Sequence, residues 1–357
     1  MKCCANCFGD RGLRKEISFR SVDVGTCQYC GSSSETLIEP HELADVFGLL
    51  VNVYQIDDLG KPLVQWLKED WLLFSHSRMD DANAKVLLGD ILDDGQIVRQ
   101  NFIPSRHYES DRLGSWEELR KELMHENRFF PKAPIDFSRL EQLLSRLILD
   151  EDEIHSTWCR ARIQSGDVAF GSDEMKAPPA KIASHGRANP AGIPYLYLGS
   201  EVVTAISEIR PHTGEWVCVA DFTVSNNLKL VDLRNPRKTI SPFLLGDEED
   251  IGQLRSDITF LERLGEELTR PVLPHAAAID YIPSQYLCEF IKKCGYDGVI
   301  YKSSVGDGMN LALFKTEKAT IGAIKQRLVT RVSVDIQDIQ SMQNTDTTYY
   351  TKFPERG

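Results

Sequence analysis

Long apolar runs are missing from the sequence. Nothing in its 357 residues approaches the roughly 20 consecutive apolar residues that a membrane helix needs, so no membrane partner is expected. The first residues, Met1-Lys2-Cys3-Cys4-Ala5-Asn6-Cys7, lack the apolar core of a signal peptide, and a cytoplasmic location is the expectation. Positive charge is scarce: the net charge is −12, and broad binding to a phosphate backbone needs a basic face, so a nucleic-acid partner is not expected. No Gly-x-Gly-x-x-Gly follows any expected strand, which argues against a Rossmann dehydrogenase. The nine cysteines are an odd number, which does not fit a disulfide framework. What remains, 42% hydrophobic and 26% charged, reads as a globular chain long enough for two or three domains.

The cysteines are unevenly spread. Cys3, Cys4, Cys7, Cys27 and Cys30 crowd the first 30 residues, whereas Cys159, Cys218, Cys288 and Cys294 sit singly in apolar sequence, where small buried hydrophobes are expected. Cys4-Ala5-Asn6-Cys7 and Cys27-Gln28-Tyr29-Cys30 form a CxxC…CxxC pair. Each knuckle turns two thiolates toward one point, and two knuckles close a tetrahedral shell for which Zn2+ is the expected ion. Four protein ligands leave no open position, so the zinc is read as structural, with Phe8-Gly9 and Gly31 supplying the turns. Cys3 is a spare or a substitute for Cys4. Residues 1–35 are therefore expected to be a zinc ribbon, serving as a rigid cap.

Residues 36–154 are expected to be helical. Pro40 can open a helix continued by Leu43, Val46, Phe47, Leu50 and Tyr54. Leu63 to Phe74, Asp80 to Asp94, a capping box at Ser115-Trp116-Glu117-Glu118, and Phe137 to Leu149 mark four more. Arg120 and His125 have the Arg-x4-His spacing that resembles the ribonuclease motif of HEPN-type helical domains. One Arg and one His on a helix meet it readily by chance, so the pair is not read as catalytic; a HEPN-like accessory domain here, for dimerisation or partner sensing, is what the family resemblance given below implies.

The rest of the chain is organised around one stretch. Gly186-Arg187-Ala188-Asn189-Pro190-Ala191-Gly192-Ile193-Pro194 is a polar loop, since its Gly and Pro content fits neither a strand nor a helix interior. Tyr195-Leu196-Tyr197-Leu198 has strand composition. Ser200 is expected to cap a helix with Val203, Ile206 and Ile209 on its apolar side and Glu208 off it. Upstream, Thr157-Trp158-Cys159-Arg160-Ala161-Arg162-Ile163 reads as a strand, and Asp173 to Ala180 as a loop placed to lid a cleft. Downstream, Trp216 to Val224 and Leu228 to Leu233 read as strands, and Ile251 to Leu268 as a long helix preceded by a solvated acidic turn, Asp247 to Asp250. A helix from Pro283 ends at Gly295. Two further strands hold Asp297-Gly298-Val299-Ile300-Tyr301-Lys302-Ser303 and Asn310-Leu311-Ala312-Leu313-Phe314.

These stretches resemble the RES domain family. Its pattern is matched by an aromatic-x-Arg strand at Arg160, then Gly186-Arg187-x-Asn189-Pro190-x-Gly192, Tyr197, Ala205-x-x-Glu208, Asp297-Gly298-x-x-Tyr301-x-Ser303 and Asn310-Leu311-x-Leu313-Phe314. The resemblance spans roughly 155–340, leaving 341–357 as a C-terminal tail. It implies an α+β chain in which an ADP-ribosyltransferase-like domain, with a split antiparallel sheet around an NAD cleft, follows the zinc ribbon and an all-helical domain. It also implies an NAD-degrading toxin or defence effector, a glycohydrolase or phosphorylase releasing nicotinamide, held inactive by an antitoxin; a homodimer is a further expectation. NAD+ would be substrate rather than cofactor.

The residue types suit that reaction. Arg160 and Arg187, assisted by Arg162, offer cationic recognition of a pyrophosphate. Glu208 is the carboxylate that would stabilise positive charge developing on the ribose. Tyr197 could stack on nicotinamide, and Ser303 and Asn310 could hold ribose or phosphate. Ser303 is not cast as a nucleophile, since no activating His adjoins it in sequence. Two alternatives stand beside this reading: ADP-ribosyl transfer to a macromolecule, and a non-catalytic partner-sensing module, against which the Arg, Tyr, Glu and Ser set speaks.

Overall fold

The computed structural model describes residues 1–21, 23–334 and 336; the expected tail, 341–357, lies outside the described residues. The chain opens with β1 (Cys3–Cys4), α1 (Arg11–Arg20), β2 (Asp23–Gly25) and β3 (Glu35–Ile38). These strands form a sheet in the order β1-β3-β2, so the cysteine-bearing unit extends past residue 35 to Ile38. Gly9 and Gly31 each take φ of +76°, the left-handed turn that follows each knuckle and that glycine enters without strain.

The middle of the chain carries α2 (Ala44–Val51), β4 (Tyr54–Pro62), α3 (Leu63–Trp71), α4 (Asp81–Leu92), β5 (Asn101–Pro104), α5 (Arg112–His125) and α6 (Phe137–Ser145). It is largely but not wholly helical: Tyr54, expected to close the first helix, instead opens β4, since α2 ends at Val51. β4 and β5 pair as an antiparallel ribbon whose register places Ile56 opposite Phe102. α4 lies within the expected Asp80 to Asp94 stretch and is capped by Asp80, whose carboxylate accepts from the Asn83 amide. α5 starts at Arg112, one turn before the expected Ser115 cap, because Ser115 turns its hydroxyl back to the Asp111 carbonyl instead of capping.

The last part holds β6 (Thr157–Ile163), α7 (Ser172–Met175), β7 (Leu196–Gly199), α8 (Val202–Glu208), β8 (Trp216–Val224), β9 (Leu230–Asp232) and α9 (Pro236–Thr239). It continues with α10 (Glu248–Thr269), α11 (Ala277–Asp280), α12 (Ile282–Lys293), β10 (Gly298–Lys302), β11 (Met309–Leu313) and β12 (Ala319–Leu328). Seven strands make one sheet in the order β12-β8-β6-β7-β11-β10-β9. β6 pairs with β8 along its whole length, from Thr157↔Thr223 to Ile163↔Val217, but meets β7 only through Cys159↔Gly199. The sheet is therefore split between β6 and β7. It is mixed rather than purely antiparallel, since β9 and β10 run parallel.

Three local expectations need correction. Ser200 does not cap α8; Glu201 is its N-cap residue, and the Ser200 hydroxyl accepts from the Met309 amide. The apolar stripe of α8 is not its buried side either, because Val203 is largely exposed while Thr204 and Ala205 are buried. The acidic run Asp247–Asp250 is the start of α10 rather than a plain solvated turn. Asp247 accepts from the Asp250 amide, and the carboxylates of the first turn complement the positive end of the helix dipole.

α10 ties the parts together. Ile251, Leu254, Ile258, Leu261, Leu264 and Leu268 recur at helical spacing and are buried. Two of its carboxylates are buried as well, each met by arginines from the middle helices. Asp257 pairs with Arg112 and with Arg139 at 3.1 Å, and Glu267 pairs with Arg120 at 2.9 Å. At the other end, Phe8 packs its ring on Phe47 and Phe74, with centroids 5.6 and 5.7 Å away. One continuous hydrophobic core thus runs from Cys3 through the middle helices to Phe314.

Candidate active site

Where β6 and β7 part, a cavity of about 430 Å3 opens, a size typical of small-molecule sites. β6 forms one wall through Arg160 and Arg162; β7 contributes Tyr197 and Gly199. The loop before β7 brings His185 to Arg187, and the end of α8 brings Glu208 and Arg210. Asn310, Tyr281, Tyr301 and Ser304 complete the lining used below.

The loop is held by Asn189, which is 4% exposed. Its amide nitrogen donates to the carbonyls of Ser184, Pro190 and Ile193 at 3.0, 3.0 and 2.9 Å. Its Oδ1 accepts from the Tyr197 hydroxyl at 2.7 Å, and that hydroxyl accepts in turn from the Ala188 amide at 2.9 Å. Burial pushes the Tyr197 phenol up, so it stays a donor. Gly186 is required by this packing, because a Cβ there would lie 2.5 Å from Asn189 Oδ1 and 2.6 Å from Tyr197 Oη. The loop thereby sets Arg187, whose Nη1 donates to the Arg270 carbonyl at 2.7 Å and whose guanidinium lies over the Tyr281 ring, 5.1 Å from its centroid.

Arg160 is a buried cation with little company. Its Nη1 donates to the Tyr197 carbonyl at 3.2 Å, while its Nε is buried with no partner. Burial, with Arg162 pushing the same way, lowers this guanidinium to about 10. A buried, half-satisfied cation beside an open cavity favours an incoming anion. Arg162 is better anchored, donating to the Glu174 carbonyl and lying 4.5 Å over the Phe170 ring. The expected lid is pinned here, since Met175 of α7 is fully buried.

Glu208 is the acid of the cavity. Its Oε1 accepts from the Ser303 hydroxyl at 2.7 Å and from the Asn310 amide at 2.6 Å. Among the described residues no donor reaches Oε2, which is left for whatever enters. Four arginines and one carboxylate line the cavity, so it is locally cationic although the chain is strongly acidic.

Of the residues named from sequence, Arg160, Arg162, Arg187, Tyr197, Glu208 and Asn310 come together in the cavity. Ser303 stands behind Glu208, and its neighbour Ser304 reaches the lining. Asn189, Tyr301, Tyr281 and Arg210 were not singled out. Asn189 and Tyr301 lie within the quoted motifs, which is the signal that could have found them. Tyr281, at the α11–α12 junction, carries no such signal.

Far from this cavity, Cys4, Cys7, Cys27 and Cys30 bring their sulfurs within 4.8 Å of one another, all buried. The closest pairs are 3.6 Å (Cys4–Cys30) and 3.4 Å (Cys7–Cys27). Zinc–thiolate bonds of about 2.3 Å in a tetrahedron give sulfur separations of about 3.8 Å, so the four fit one ion. Cys3 is buried but lies outside this group. Arg120 is committed to Glu267 and His125 is exposed at the end of α5. Among the described residues no helix is long and apolar enough to cross a membrane.

No curated protein matches the chain. Among solved structures it is similar to one described as the crystal structure of the M. tuberculosis MbcT-MbcA toxin-antitoxin complex. The identity is 13%, the match covers 53% of this chain and 92% of that one, and the TM-score is 0.31. The RES domain family model matches residues 158–336, about half of the chain, from the start of β6 to beyond β12. That span contains the split sheet, the Asn189-held loop and the Glu208 cluster, and by it the chain belongs to the RES domain family.

Proposed function

We propose that the chain degrades NAD+ by breaking the bond between nicotinamide and ribose, as a glycohydrolase or phosphorylase, and that it acts as a toxin or defence effector. The observation that carries this reading is a single carboxylate, Glu208, held on one oxygen by Ser303 and Asn310 in a cavity that four arginines also line. The electron pair of the glycosidic bond leaves with nicotinamide, and positive charge develops on the ribose. The free oxygen of Glu208 stabilises that charge and then takes a proton from the attacking water. Arg160 and Arg187 hold the pyrophosphate, with Arg162 assisting. Ser303 acts by orienting Glu208, and Tyr197 by fixing the loop that carries Arg187.

The four-cysteine unit is proposed to hold one structural zinc through Cys4, Cys7, Cys27 and Cys30. All four positions of the ion are filled by protein, so it would supply folding energy and no step of the reaction. Residues 36–154 are proposed as an accessory region without ribonuclease activity of their own, and an antitoxin as the protein partner, in a cytoplasmic setting. The deciding experiment incubates purified protein with NAD+, with and without phosphate, and identifies the products. Free nicotinamide with ADP-ribose, or with phosphorylated ADP-ribose, supports the proposal. Label from tagged NAD+ retained on protein would replace it with ADP-ribosyl transfer, and intact NAD+ would end it.

A further inference from the structure

Tyr301 stands one strand away from the residue that anchors the site's acid. On β10 it pairs with Asn310 of β11, and Asn310 pairs with Gly199 of β7. Directly opposed residues project to the same face of a sheet, so Tyr301 and Asn310 enter the cavity side by side. Asn310 holds Glu208 Oε1 at 2.6 Å.

The Tyr301 side chain is only 4% exposed, yet among the described residues no protein group hydrogen-bonds its hydroxyl. The phenols of Tyr54, Tyr195 and Tyr197, also in the interior, each have a partner: Asp70, Glu289 and Asn189. A buried phenol normally finds one. The Tyr301 hydroxyl is thus left for the contents of the cavity it lines. The charged groups that bear on it are Glu208 and Arg187, and burial holds it protonated well above the ordinary phenol range. It is a donor at neutral pH and not a base.

We infer that the Tyr301 hydroxyl donates a hydrogen bond to a hydroxyl of the nicotinamide-side ribose and is a specificity-determining contact of this site. The inference rests on the reading of the cavity as an NAD+ site. Arg160 and Arg162 lie on the β6 wall and suit the pyrophosphate. Tyr301 lies on the opposite half of the sheet, beside the carboxylate that faces the reacting carbon, where sugar hydroxyls come within reach.

Tyr301→Phe keeps the ring and removes only the donor. The test compares kcat/KM of wild type and Tyr301→Phe on NAD+ and on analogues lacking the 2′ or the 3′ hydroxyl of that ribose. Tyr301→Phe is expected to lose about ten-fold on NAD+, the worth of one good hydrogen bond, with an unchanged melting temperature. Wild type is expected to lose a similar factor on one of the two analogues, and the variant no more than it has already lost. Undiminished activity of Tyr301→Phe on NAD+ overturns the inference, as do losses that multiply on both analogues. A wild-type protein that releases no nicotinamide overturns the NAD+ reading itself, and this inference with it.

Discussion

Replacing Asn189 by Ala should loosen the site without touching any group that faces the substrate. The side chain makes four hydrogen bonds, three donated to carbonyls and one accepted from Tyr197, in a 4%-exposed position. At about 1 kcal/mol net for each bond, the loss is about 4 kcal/mol, and water entering a partly opened loop reduces it to about 2. Unfolding entropy of about 2.1 cal/mol/K per residue over 357 residues converts this range to a fall in Tm of about 3–5 °C. The loop then no longer fixes Arg187, so KM for NAD+ should rise more than kcat falls. Asn189→Asp should be no better, since a charged oxygen would face the three carbonyls that the amide now serves. Thermal melts, limited proteolysis across residues 183–193 and steady-state kinetics make the assay. An Asn189→Ala protein that melts within about 1 °C of wild type and keeps its KM would refute the reasoning.

Glu208→Gln preserves shape and removes charge, so kcat should fall about 10²–10³-fold while NAD+ still binds by calorimetry; Arg187→Ala should act chiefly on KM, because pyrophosphate is anionic in ground and transition states alike. Elemental analysis should find one zinc per chain, and Cys27→Ser should lower the melting temperature of the whole chain, since Phe8 links the knuckles to Phe47 and Phe74. Arg120→Ala strands the buried Glu267 carboxylate and should destabilise by about 3–5 kcal/mol, whereas His125→Ala should be neutral; NAD+ turnover should survive both below the melting range, and RNA cleavage that vanishes in the double variant would contradict the accessory role. Burial would raise the Asp297 carboxyl, but the Lys229 amide and the ammonium groups of Lys315 and Lys318 outweigh it and hold it below the usual range. Its stabilisation is therefore present above about pH 4 and lost as pH falls through the folded value, so melts of wild type and Asp297→Asn should differ at neutral pH and converge in acid.

Much of the half that holds the cavity was legible because its strands carry their own pattern. β6 and β8 have the expected limits, and Gly295, at φ +90°, closes α12. The failures share a cause: packing decided by distant backbone rather than by a local stripe. α8 buries Thr204 and Ala205 because glycines let backbone approach them; a Cβ at Gly199 would lie 2.8 Å from the Ala205 nitrogen, and one at Gly308 would lie 2.0 Å from Thr204 Oγ1. No apolar periodicity announces such a contact. β12 was missed because it is an exposed edge whose identity comes from pairing with β8. The partners of Asp257 and Glu267 lie more than 100 residues away in sequence, beyond any local reading.

α10 buries residues along its whole length, from Ile251 to Leu268, and this limits how the molecule can be divided. A fragment beginning at Thr157 would keep the whole sheet and every residue of the cavity. It would also carry Asp257 and Glu267 without Arg112, Arg139 and Arg120, and would bare apolar side chains that now meet the middle helices. The family match begins at residue 158, but the hydrophobic core does not divide there. The front half of this protein is a wall of the same building, and a partner that pried it loose would dismantle the core that supports the cavity, without ever reaching the cleft.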